Sequence, residues 1–114
     1  MFKAIAAGAM LLVSTGAVQA QDFAGAGHIL RGDLAAAERA IQAEQRLFPR
    51  DADLLLNLAF VYARTGRQAE ARRLYRQVAA QPDELLDLPA RRTVRAHAVA
   101  AAGLQRLDQQ VAAR

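Results

Sequence analysis

The stretch ADLLLNLAFVYARTGRQAEARRLYRQVAAQPDEL, residues 52–85, decides the fold. Its first half is rich in strong helix formers, and Leu55, Leu58, Ala59 and Tyr62 recur at spacings of three and four residues, which gathers them on one stripe of a helix over 52–65. In its second half Ala71, Leu74, Tyr75 and Val78 repeat the pattern over 67–80, while Arg72, Arg73 and Arg76 fall elsewhere. Gly66 separates the two halves. A single glycine can close one helix in the left-handed conformation and leaves the next helix little choice but to fold back. The stretch therefore predicts an antiparallel helical hairpin, stripe against stripe.

Working outward, no segment alternates like a strand, and breakers fall at Gly32-Asp33, Pro49-Arg50-Asp51, Pro82-Asp83, Leu88-Pro89 and Gly103. They predict further helices over 22–31, 34–48, 88–102 and 104–113. Asp33, Asp51 and Asp87 stand where N-caps are needed, and Pro89 is tolerated in a first turn because its missing N–H would be unpaired there. Shifting the chain by about 34 residues lays Gly32 on Gly66, Ala35 on Ala69, Ala37 on Ala71 and Ile41 on Tyr75, and that period belongs to helical repeats.

On these residues the chain resembles the tetratricopeptide repeat (TPR) family. Leu55, Leu58, Ala59 and Tyr62 match the large, large, small and aromatic places of the family's first helix. Gly66 matches its turn, and Ala71, Tyr75 and Val78 match its second helix; Pro82 lies one place before the family's usual terminal proline. An earlier unit, 21–51, matches in its second half, but His28 stands where a tyrosine is usual. Residues 86–114 are off-pattern and read as capping helices, with Val94, Ala98 and Ala101 facing inward and Leu107 and Val111 closing the last turn. The resemblance implies an all-α fold, antiparallel helical hairpins stacked as a short right-handed solenoid with C-terminal capping helices.

It also implies a non-enzymatic scaffold or adaptor that takes a protein or peptide partner in the groove lined by the first helix of each pair. At the matching positions that groove presents Asp53, Leu56, Asn57, Phe60, Ala63 and Arg64. Phe60 and Leu56 lie off the hairpin's own stripe, so they either face outward as contacts or are covered by the helix after Pro89. Asn57 stands where chaperone-binding members hold a peptide, but their lysines are missing from the first unit, so that clamp is not implied. Two units and a cap are few for a stable stack, which points to completion by the last helices, by another copy of the chain or by a partner.

At the N-terminus Lys3 precedes the apolar run Ala4–Val13 and the small and polar stretch Ser14–Ala20, the order of a secretory signal peptide over residues 1–20. The run is shorter than the roughly 20 residues a bilayer-spanning helix needs. With an arginine-dominated basic complement, in which Lys3 is the one lysine, this points to the periplasm of a Gram-negative bacterium. The chain has 114 residues, no cysteine and a formal net charge of +4. Disulfides, thiolate catalysis and thiolate-bound zinc are thereby excluded.

Little else suggests chemistry. His28 and His97 have no partners at metal spacing, Thr65 sits at a helix end where capping explains it, and the grouped carboxylates Asp51 with Asp53 and Asp83 with Glu84 and Asp87 are expected in first turns, where they complement the helix dipole. No phosphate loop and no cofactor are implied. Arg64, Arg67, Arg72, Arg73 and Arg76 on one hairpin, with Arg91, Arg92 and Arg95 after it, are a solvated face or an anion-binding surface for acidic peptides or an anionic membrane surface, the latter making the chain an envelope-associated structural protein. Arg64 and the group Arg91, Arg92 and Arg95 are the candidate anion contacts. Nucleic acid is disfavoured by export and by the lack of interleaved aromatics for stacking.

Overall fold

The computed structural model describes residues 25–88 and 91–112, which form five helices and one small sheet. The signal-peptide reading of residues 1–20 lies outside them. In chain order the elements are α1 (Ala26–Leu30), α2 (Leu34–Gln45), α3 (Ala52–Arg64), α4 (Gln68–Ala80), β1 (Leu85–Leu88), β2 (Arg92–Arg95) and α5 (Ala96–Ala112). No described helix is long and apolar enough to cross a membrane.

Local chemistry sets the helix ends. Asp33 caps α2, its Oδ1 accepting from the Ala36 amide at 3.1 Å, and Asp51 holds the N-cap position of α3 without a capping bond from its side chain. Gly32 and Gly66 turn their hairpins at φ of 79° and 84°, the left-handed region that costs a residue with a Cβ about 1–2 kcal/mol. A Cβ at either place would meet nothing within 4 Å, so conformation and not space calls for glycine. At the end of α3 the Thr65 hydroxyl donates to the Val61 carbonyl at 2.8 Å, adding to the bond that carbonyl already receives from the Thr65 amide at 3.0 Å.

Helix α3 is the centre of the molecule. It packs most extensively against α4, then α2, and also touches α5. The inward stripe of α4 is the expected one, Ala71, Leu74, Tyr75 and Val78, and α2 contributes Ala37 and Ile41. On α3, however, burial runs without a break from Ala52 to Ala59 and on through Val61 and Tyr62. A helix apolar around most of its circumference has no solvent face to offer and ends up in the middle.

The C-terminal third departs from expectation. The described residues are mainly helical and not all-α: where a helix was expected from Leu88, β1 and β2 pair antiparallel with Leu85 opposite Arg95, Leu86 opposite Val94, Asp87 opposite Thr93 and Leu88 opposite Arg92. Strand alternation turns Leu86, Leu88 and Val94 to the core side, and Leu86 is fully buried. Asp87 thus lies within β1 and caps no helix. The expected break at Gly103 is absent, and a single helix α5 runs through it. Its inward stripe is Ala96, Ala100, Gly103 and Leu107, whereas Ala98, Ala101 and Val111 are exposed. Gly103 is there for proximity: a Cβ would come within 2.4 Å of the Tyr75 ring.

Hydrogen bonds fasten this third to the hairpin before it. The Asp83 carboxylate accepts from the backbone N–H of both Glu84 and His97 at 2.9 Å, and the His97 ring meets the Gln81 carbonyl through Nε2 at 2.6 Å. The amides of His97 and Glu84, with the charges of His97 and Arg95, hold the Asp83 carboxyl below its usual range.

Candidate functional site

The residues expected to line a groove do share one side of α3, since Asp53, Asn57, Phe60 and Arg64 follow one another by four, three and four residues. They differ in how far they reach solvent. Asp53, Leu56 and Asn57 are 6 %, 3 % and 2 % exposed, so of the two places open to Leu56, outward or covered, it takes the covered one. Phe60 and Ala63 are half-buried and Arg64 is exposed. The Arg64 guanidinium carbon sits 5.4 Å from the centre of the Phe60 ring, within reach of a cation–π attraction. What α3 presents at its C-terminal end is therefore an aromatic ring partly roofed by a cation, with two buried polar side chains further along the same line.

Buried polar groups are not placed idly, because taking an amide or carboxylate out of water costs several kcal/mol unless it is well paired. The Asp53 Oδ1 accepts from the Leu54 amide at 3.1 Å. Both Asp53 and Asn57 make further interactions. The polar line is thus part of the packed structure.

Beside it lies a network the sequence did not announce. Arg67, read from sequence as one of a solvated crowd, reaches across to α2, where its two terminal nitrogens donate to Glu38 at 2.9 and 2.5 Å. Its guanidinium also stacks 4.6 Å from the Tyr62 ring centre and donates to the Thr65 hydroxyl. Gln42 donates to the Tyr62 hydroxyl at 3.2 Å. This fork-shaped pairing lowers the Glu38 pKa, chiefly through the hydrogen bond from Arg67, which outweighs the opposing effect of burial, with the Arg67 charge adding to the lowering. It ties the first hairpin to the second.

The proposed anion group does not converge. On a helix Arg91, Arg92 and Arg95 would share a face, but Arg92 and Arg95 lie on a strand, where positions three apart point to opposite sides of the sheet. All three are exposed, and Arg91 enters β2 with φ 59°, a left-handed conformation uncommon for a residue with a Cβ. Arg95 lies across from Leu85 and contributes to the field at Asp83.

Both histidines have structural partners. His28 is half-buried with its Nδ1 2.9 Å from Arg31 Nη2, and His97 is engaged as described above. Among the described residues no group of three or more His, Cys, Asp or Glu is placed to hold a metal ion.

Besides the β1–β2 pairing and the Arg67–Glu38 network, two further features escaped the sequence reading. The first is the all-round burial of α3, which the consecutive Leu54, Leu55 and Leu56 could have signalled, since three neighbours on a helix cannot share one stripe. The second is the turn Leu47-Phe48-Pro49, whose leucine and phenylalanine are 72 % and 54 % exposed. Compared with known proteins, the chain matches no family model, no curated protein and no solved structure.

Proposed function

We propose that this chain is a small periplasmic adaptor of the TPR kind that binds an extended protein segment, without chemistry of its own. The observation that carries the reading is the pair of helical hairpins α1–α2 and α3–α4, turned by left-handed glycines one repeat length apart and stacked with α3 in the middle. Stacked hairpins of this kind bury a continuous core and leave the line of their first helices as the natural docking face. Here the accessible part of that line is Phe60 with Arg64, and Ala63 beside them leaves room for a partner's backbone.

An aromatic ring under a guanidinium suits a segment that brings an apolar side chain and a carboxylate together. Asp53, Leu56 and Asn57 continue the same helix toward its N-terminal end as buried residues, while the exposed Arg91, Arg92 and Arg95 add a general attraction for acidic partners.

The test is a pulldown from periplasmic extract of the native organism with crosslinking, comparing the wild-type chain with Phe60→Ala/Arg64→Glu. The expected result is a specific protein partner lost in the double variant. Equal recovery with both chains would rule out this face.

A further inference from the structure

The end of the molecule where α2 stops and α3 starts carries a surface of a different kind. The turn between them exposes Leu47 and Phe48 side by side, followed by Pro49 and bracketed by Arg46 and Arg50, both exposed. Neither arginine enters an ion pair among the described residues. The neighbouring carboxylates recede: Glu44 and Asp51 are half-buried, so the outermost charge on the turn is positive. Gln81 fastens the turn to the segment leading into β1 by donating to the Arg50 carbonyl at 3.0 Å, and Leu85, itself exposed, lies a few residues further on, opposite Arg95.

We infer that this turn docks the protein on an anionic lipid surface, with Leu47 and Phe48 entering the boundary between headgroups and acyl chains and Arg46 and Arg50 meeting lipid phosphates. Three features favour a bilayer over a protein as the occupant. The residues from Leu47 to Asp51 bound only a shallow, open depression, which offers no groove for a rigid helix but suits a deformable surface. The N–H groups at the tip are not left seeking water: the amides of Leu47 and Phe48 both donate to the Glu44 carbonyl, at 2.9 and 3.1 Å, and Pro49 has no N–H to satisfy. Long arginine side chains beside an apolar pair can keep their charges among headgroups while the apolar pair sinks.

This surface is separate from the Phe60–Arg64 face and does not depend on it. The experiment is co-sedimentation of the full chain with vesicles containing phosphatidylglycerol, against vesicles of phosphatidylcholine alone. Any contribution of residues 1–20 is common to all variants and cancels in the comparison. Leu47→Ser/Phe48→Ser is expected to weaken binding to the anionic vesicles on the order of tenfold or more, from the lost apolar transfer. Arg46→Gln and Arg50→Gln should each weaken it about fivefold and flatten its salt dependence.

Leu30→Ser/Val111→Ser, at exposed apolar positions outside the turn, should bind like the wild type. Because every substituted side chain here is at least partly exposed, an unchanged circular dichroism spectrum is expected and verifies folding. Equal binding by Leu47→Ser/Phe48→Ser and the wild type, or equal affinity for the two kinds of vesicle, would overturn the inference. A pulldown in which this turn retained a protein and no lipid would do so as well.

Discussion

Gly66 and Gly103 are the same residue used for opposite reasons, and the regions around them differ accordingly. Gly66 has a left-handed backbone and empty space where a Cβ would go, whereas Gly103 sits inside a continuous helix with the Tyr75 ring against it. The first is a demand of the chain on itself, set within a few residues. The second is a demand of one helix on another, made only once α5 lies on α4. The hairpin α3–α4 is built from requirements of the first kind, and the region 85–112 from the second.

The largest expected effect breaks the second kind. Gly103→Ala gains about 1 kcal/mol of helix propensity but drives a methyl group into three ring atoms of a tyrosine that is 3 % exposed. Overpacking of that sort costs roughly 1–3 kcal/mol or more when the neighbour cannot yield, and a net loss of about 2 kcal/mol in denaturant unfolding is expected. Tyr75→Leu in the same background should recover part of it, and a net gain from Gly103→Ala alone would show that the helices are not in this contact.

Gly66→Ala should cost about 1 kcal/mol through its backbone angle alone, with Gly66→Asn milder, since asparagine tolerates the left-handed region. Conversely, Arg91→Gly should relieve a left-handed residue at the start of β2 and raise stability by somewhat less than about 1 kcal/mol, because glycine also gains freedom in the unfolded chain. Both are read from shifts in the denaturation midpoint.

The smallest effect concerns acid. Glu38 and Asp83 are held below their ordinary values of 4.5 and 3.8, so each is more readily ionised in the folded chain than in the unfolded one. Their contributions are complete above those ordinary values and fade as pH falls through the lower folded values. Melting temperature should accordingly drop as pH falls below about 4 in the wild type. The drop should be shallower in Glu38→Gln, which starts lower because Arg67 has lost its partner.

The two kinds of requirement explain how much could be read in the sequence. The stripes of α4 and α2, the caps at Asp33 and Thr65, and the turns at Gly32 and Gly66 were legible because each signal is local. The strands β1 and β2 were not: leucine and arginine favour helix there, and the contacts of Leu86, Leu88 and Val94 with the core select strand pairing over that preference. For the site, the sequence placed Asp53, Asn57, Phe60 and Arg64 on one line but could not rank their exposure. Exposure depends on how completely α3 is enclosed. The arginines 91, 92 and 95 converge only if a helix carries them, so their dispersal followed from the missed strand pairing.

The central claim is that the C-terminal end of α3 meets a protein partner, and site-specific photocrosslinking in the living envelope tests it most directly. A photoreactive phenylalanine analogue at position 60 should give a discrete protein adduct, while the same group at position 48 should crosslink to lipid. No protein adduct from position 60, with position 109 on the exposed side of α5 labelled equally or better, would contradict the account.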